Sequence, residues 1–317
     1  MQKKIILHSI NVLKGIFLAV ISLLEVSMTA VFLTGCSHTE SAQMVNELTF
    51  SAPEVSEMTI SYDEENLTFL KSSGDEIKIR EYMTEDQKRY HANVEQHSGK
   101  VHISEGGKPF FKDGFLRYVE IELPASYRND LTLTTTNGNL DLSAVELDLA
   151  KLRIGTTSGI LQLKKAEARN VYLSTTSGTM ELGKIEADKI RLDSTSGAIT
   201  VDELRGNTVY TSTSGNLTVE SAIGSGNYKA GNSGKLDVAY KRVEGNLSLY
   251  NKNDDILLKI PKALEFDFHA VTKNGSIKTS FSDEISIEDG EACGVIGKKP
   301  SVRIELETKN GRIEVTR

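Results

Sequence analysis

Cysteine and tryptophan are scarce in this 317-residue sequence: there are two of the first and none of the second. Two cysteines, Cys36 and Cys293, cannot form the disulfide framework of a small secreted scaffold. Cys36 is given another role below, so no disulfide is expected. Cys293 then reads as a lone, small, semi-buried hydrophobe. An excess of positive charge is also missing. The formal charge is -7, and residues 1–36 contribute +2 (Lys3, Lys4 and Lys14 against Glu25), which leaves -9 on the remainder. An acidic body excludes nucleic-acid binding through a general positive field. Catalytic signatures are absent too. No GxSxG, HExxH or EF-hand loop occurs. Gly224-Ser225-Gly226 does not continue into a dinucleotide-binding pattern. Ser233-Gly234-Lys235 is no phosphate loop, because Lys229 stands where the first glycine belongs and Leu236 replaces Ser/Thr. His91, His97 and His102 follow no standard metal-ligand spacing. The expectation is a non-enzyme with no cofactor and no metal.

What is present begins with an export signal. Three lysines precede a largely apolar stretch from Gly15 to Leu33, which ends in Leu33-Thr34-Gly35-Cys36. The LTGC tetrapeptide resembles the lipobox of bacterial lipoproteins. That resemblance implies cleavage between Gly35 and Cys36, acylation of the Cys36 thiol, and a chain held to a membrane by lipid, facing outside the cytoplasm. Glu25 departs from the pattern, since an acid is costly in an apolar run. It counts more heavily against the rival reading, an uncleaved membrane span. A polar tether, 37–46, follows, and strand-like sequence begins near Glu47.

The body is a repeat. TTTNGNLDL, TTSGILQL, TTSGTMEL, STSGAITV, STSGNLTV and GNSGKLDV follow one another, with glycines at 138, 159, 178, 197, 215 and 234. Asp254, Gly275 and Gly311 continue the series to nine units of about 19 residues. Apolar residues alternate on both sides of each turn, as at Val171 and Leu173, then Met180 and Leu182, which is the strand period. A unit this short has no room for a crossover helix. The predicted fold is all-β: a single-stranded parallel β-solenoid over residues 131–317, one rung per unit, preceded by an N-terminal β-rich cap over 47–130. Thr135, Thr156, Thr175, Ser194 and Ser212 share the inward parity and are expected to stack as a structural hydroxyl column. The turn glycines are expected to supply a positive φ.

Two units break step. At seven and five residues before Gly215 and Gly234 stand Thr208/Tyr210 and Asn227/Lys229. A one-residue slip restores Val209/Thr211 and Tyr228/Ala230. Irregular rungs are where function enters a repeat, so residues 205–250 are the first candidate region. Arg205 and Tyr210 are its candidate contacts, and outward Tyr172 joins Tyr210 as a sugar-stacking pair. Nearer the start, ENLTFLKSSGDEIKIREY reads as a degenerate rung around Gly74. IELPASYRNDLTLTTTNG (121–138) also matches LKIPKALEFDFHAVTKNG (258–275), with 14 residues from Pro to Gly in each.

The TTSGxLxL strings, the Leu-Pro lead-in and the closing TKNGRIEV are similar to the bacterial "putative adhesin" β-repeat family, which includes LiaG-like envelope proteins. The resemblance covers about 55–317. It implies a membrane-tethered envelope protein without catalysis, associated with envelope stress or surface adhesion, and supplies no catalytic motif. Expected partners are the membrane, through the lipid on Cys36, and another envelope protein or a cell-wall glycan. A carbohydrate-active β-helix enzyme or polysaccharide-binding protein is the alternative.

Overall fold

A strand with one apolar edge and no second layer to cover it must be covered by its own neighbours in the repeat. In the computed structural model, which describes residues 41–111 and 114–317, 21 strands join into one sheet wound round a single core. Consecutive units pair in parallel: Leu161, Leu163, Val171 and Leu173 lie opposite Met180, Leu182, Ile190 and Leu192. In the second of these units Met180, Leu182, Ile185, Ala187, Ile190, Leu192 and Ser194 are all buried. Steps of two keep a wall straight. The steps of three, from Leu182 to Ile185 and from Ala187 to Ile190, reverse the parity, so the wall bends there. The Ser-Gly turn supplies the third corner. Each rung thus has three short walls round an apolar centre, and each fully buried Leu or Ile contributes about 1.5–3 kcal/mol. No helix among the described residues is long and apolar enough to cross a membrane.

The hydroxyl column is inward and buried, as its parity predicts. Thr135 and Thr175 accept hydrogen bonds from the turn amides of Gly138 and Gly178 at 2.9 and 2.8 Å, and Ser194 donates to the carbonyl of Gly197 at 2.8 Å. The glycines have a different role from the one expected. Of the six, only Gly234 has a positive φ. A Cβ on Gly159 would lie 1.9 Å from the carbonyl oxygen of Gly138, and one on Gly178 would lie 2.2 Å from that of Gly159. At Gly138, Gly159, Gly178, Gly197 and Gly215 close stacking on the preceding turn, rather than φ, leaves no room for a side chain.

The two irregular rungs differ from each other. No slip occurs before Gly215: Thr208 and Tyr210 point inward, fully buried, and Val209 is 40% exposed. Before Gly234 the slip is real, with Tyr228 and Ala230 inside, and the extra residue sits in the turn. The cause in both is tyrosine in the core. Tyr210 donates to the carbonyl of Gly215 at 2.9 Å, and the hydroxyls of Tyr228 and Tyr240 pair at 2.7 Å. Gly226 makes room for the Tyr228 ring, which a Cβ would meet at 2.4 Å.

At both ends the rungs are out of sequence order. The strand Glu57–Tyr62 lies between Lys100–Ser104 and Asp130–Thr135, and Asn66–Lys71 lies between Arg117–Leu123 and the strand that begins at Leu140. Two rungs therefore precede the Gly138 rung, one turning at 63–65 and the other between Ser104 and Arg117. Gly74 lies in neither turn. It connects Asn66–Lys71 to Glu76–Met83, an antiparallel strand that covers the end, so the Gly74 rung is corrected. The opposite end repeats the arrangement. Val302–Thr308 inserts between Leu247–Asn251 and Phe266–Thr272, and Ile313–Thr316 between Ile256–Lys259 and Ile277–Thr279. An asparagine ladder records that order: Asn274 donates to Asn310 at 2.8 Å and Asn310 to Asn253 at 2.6 Å. The two proline lead-ins, Leu123-Pro124 and Ile260-Pro261, are the two connections that step over a rung. Antiparallel Asn93–His97 and Glu291–Ile296 close the ends. The first strand, Gln43–Ser51, starts inside the expected tether.

Candidate functional site

Stacking turns residues of equal register into columns at roughly 4.8 Å spacing. On the wall that precedes the turn, one outward column reads Thr132, Arg153, Tyr172, Arg191 and Val209. The rung spacing places the Tyr172 ring between two guanidiniums, with Arg153 Cζ 4.4 Å and Arg191 Cζ 5.6 Å from its centroid. Cation–π contact links the three side chains along the column. The adjoining column reads Asp130, Lys151, Asn170, Lys189 and Asn207. Arg191 is paired with Asp193 at 2.7 Å. Among the described residues Lys151, Arg153 and Lys189 take part in no ion pair. Four basic side chains thus face two carboxylates, Asp130 and Asp193, which leaves this face net positive on an acidic chain, with amide side chains interleaved.

The structure does not bring the three candidates together. Tyr210 is in the core, so its candidacy as an outward contact and as a stacking partner of Tyr172 is withdrawn. The physical reason is that its hydroxyl finds a buried carbonyl, which lets a tyrosine serve as an inward residue. Arg205 is on the middle wall, around a bend from Tyr172. It pairs with Glu186 at 3.6 Å and Glu203 at 3.9 Å, and Lys184 and Lys241 share those carboxylates. Its charge is compensated locally. Tyr172 alone of the three stands on an open face. The signal that could have found its setting was the Arg153 and Arg191 register, one unit to either side. Gly35 and Cys36 lie outside the described residues.

Other clusters offer less. A shallow recess by Pro124 mixes Lys71, Arg128 and Lys165 with Glu146, Asp148 and Glu167. His91 pairs with Asp86 at 2.8 Å. No group of three His, Cys, Asp or Glu among the described residues is placed to hold a metal. Cys293 is exposed, not semi-buried, because Ala292 takes the inward place on that strand.

These features define a stacked-strand solenoid that offers flat outward walls rather than a cleft. The chain belongs to the Toastrack family (DUF4097), whose model matches residues 55–316. Similar solved structures include a "putative adhesin" from Parabacteroides distasonis, at 17% identity over 85% of this chain and 96% of that one, with a TM-score of 0.39. Another "putative adhesin", from Parabacteroides merdae, has 14% identity over 86% and 96%, with a TM-score of 0.37. A "putative lipid binding protein" from Parabacteroides distasonis has 10% identity over 85% and 96%, with a TM-score of 0.33. No curated protein matches the chain.

Proposed function

We propose that this protein is a non-catalytic binding module of the bacterial cell envelope, held to its membrane by lipid on Cys36, and that the Arg153–Tyr172–Arg191 face binds an acidic envelope glycan. The observation that carries the reading is the cation–tyrosine–cation stack with Lys151 and Lys189 beside it. A ring between two guanidiniums offers an edge for a sugar and fixed positive charge for its carboxylate or phosphate groups. Columns at constant spacing suit a polymer with a constant repeat. The adhesin-like and lipid-binding descriptions of the structural neighbours agree with binding as the activity.

The test is binding of the full-length, detergent-solubilised protein to acidic wall polysaccharide across a salt series. Arg153→Gln, Arg191→Gln and Tyr172→Ala should each weaken binding several-fold, with a shallower salt dependence for the two arginine variants. Arg205→Gln should leave it unchanged. Equal binding by all four variants would remove this face from the reading, and sugar release during incubation would restore the enzyme alternative. Anchoring is tested separately: Cys36→Ser should abolish incorporation of labelled fatty acid.

A further inference from the structure

Six of the ten large apolar side chains left exposed among the described residues fall between residues 44 and 118: Met44, Val94, Phe110, Phe111, Leu116 and Tyr118. Phe110 and Phe111 are 93% and 79% exposed, with their rings edge to face, centroids 5.0 Å apart. An apolar cluster of this kind marks a contact surface. Its support is rigid. Arg117 is buried beneath the loop and donates to the carbonyls of Tyr90 and Gly107 at 2.8 and 3.3 Å, and to Glu65 at 2.9 Å. The Gly107 amide donates to the carbonyl of Arg89 at 2.7 Å. A Cβ on Gly106 would meet the carbonyl oxygen of His91 at 2.1 Å, so the loop base is seated directly on backbone. The two phenylalanines are therefore held away from the core by a fixed base.

A second set of exposed apolar side chains, Leu116, Tyr118 and Met44, leads to the start of the folded chain. Met44 lies opposite Tyr82, and Tyr82 lies opposite Tyr118, with the two rings stacked at 4.6 Å. Leu116, two residues before Tyr118, exchanges hydrogen bonds with Thr84 at 3.2 and 3.1 Å. Met44 is eight residues after Cys36, a span of at most about 28 Å when extended. Any surface that holds Cys36 is thus within a short reach of this set. Projecting aromatics with no groove between them suit the boundary between headgroups and acyl chains better than they suit a protein partner.

We propose that Phe110 and Phe111, backed by Leu116 and Met44, insert into the outer surface of the membrane that carries the lipid on Cys36. The insertion sets the orientation of the solenoid on that membrane, while the lipid supplies the attachment. This rests on the anchoring reading above. Because the chain has no tryptophan, Phe110→Trp places a single reporter at the tip. The full-length variant is reconstituted into phosphatidylethanolamine–phosphatidylglycerol vesicles containing lipids brominated in the acyl chain. Val295→Trp, at the opposite end, serves as the control. The expected result is blue-shifted emission and bromine quenching for Phe110→Trp alone. Emission at the solvent-exposed wavelength, equal quenching of both variants, or a blue shift without quenching (the sign of a second copy or another protein covering the loop) would each overturn the proposal. The mass of the N-terminal peptide from the same preparation separates the two readings. Acylation without quenching removes the loop contact alone. Quenching without acylation removes the anchor alone.

Discussion

The middle of the solenoid and its two ends use the same unit but assemble it differently. From Leu140 to Asn251 each rung lies beside the rung that precedes it in sequence, and its contacts close over about 19 residues. At the ends a rung is threaded between two others. Leu247 and Leu249 lie against Ile304 and Leu306, more than fifty residues away. The middle can grow by local addition, whereas an end is complete only when a distant segment arrives.

The comparison can be broken most severely in the middle. Leu182→Asp places an unpaired charge inside a rung and should cost on the order of 4 kcal/mol, lowering the melting temperature of the whole body. Ile304→Asp should cost on the order of 3 kcal/mol in the threaded rung, with a local effect. Hydrogen exchange should show lost protection at 247–251 and 266–272, while 171–175 stays protected. Uniform loss would mean the ends and the middle unfold as one unit.

The N-terminal end also depends on charge. Burial pushes the Glu65 carboxyl up, but its hydrogen bond with Glu105, whose own carboxyl is raised by burial and by that bond, and the Arg117 guanidinium outweigh that effect and hold it down at about 2. A depressed folded value contributes stability above the ordinary 4.5 that is lost as the pH falls toward 2. Acid titration should therefore loosen the loop-bearing end over that window, and Glu65→Gln should flatten that limb. An unchanged limb in the variant would place the acid sensitivity elsewhere. The smallest effect is expected from Glu181→Ser. It changes an outward side chain next to Leu182 and should cost less than about 0.5 kcal/mol. A melting temperature as low as that of Leu182→Asp would overturn the inward and outward assignment.

The rungs from Leu140 to Val201 were legible because two-residue alternation and a fixed turn state both the strand and its buried side. The ends were not, because strand order is a matter of long-range pairing that no local period encodes. The repeated proline lead-in was visible in the sequence, but nothing in 14 residues announces a step over a rung. Tyr210 was misread because a tyrosine at an inward place looks like a slip until its buried partner, the carbonyl of Gly215, is seen. Tyr172 was legible as outward. Its two arginines were not noticed, because they are neighbours only after stacking. The Phe110–Phe111 loop was not legible for another reason: it lies outside the repeat, so no period in the sequence marks its two rings as outward.

The threaded ends restrict how such a chain can change length over evolutionary time. A whole-unit duplication between Leu140 and Asn251 adds one rung and leaves every other pairing as it was. The same duplication next to either proline connection would require that connection to bridge two rungs, or would leave a strand without its slot. Relatives of different length should therefore differ by multiples of the central unit, with both terminal modules inherited whole.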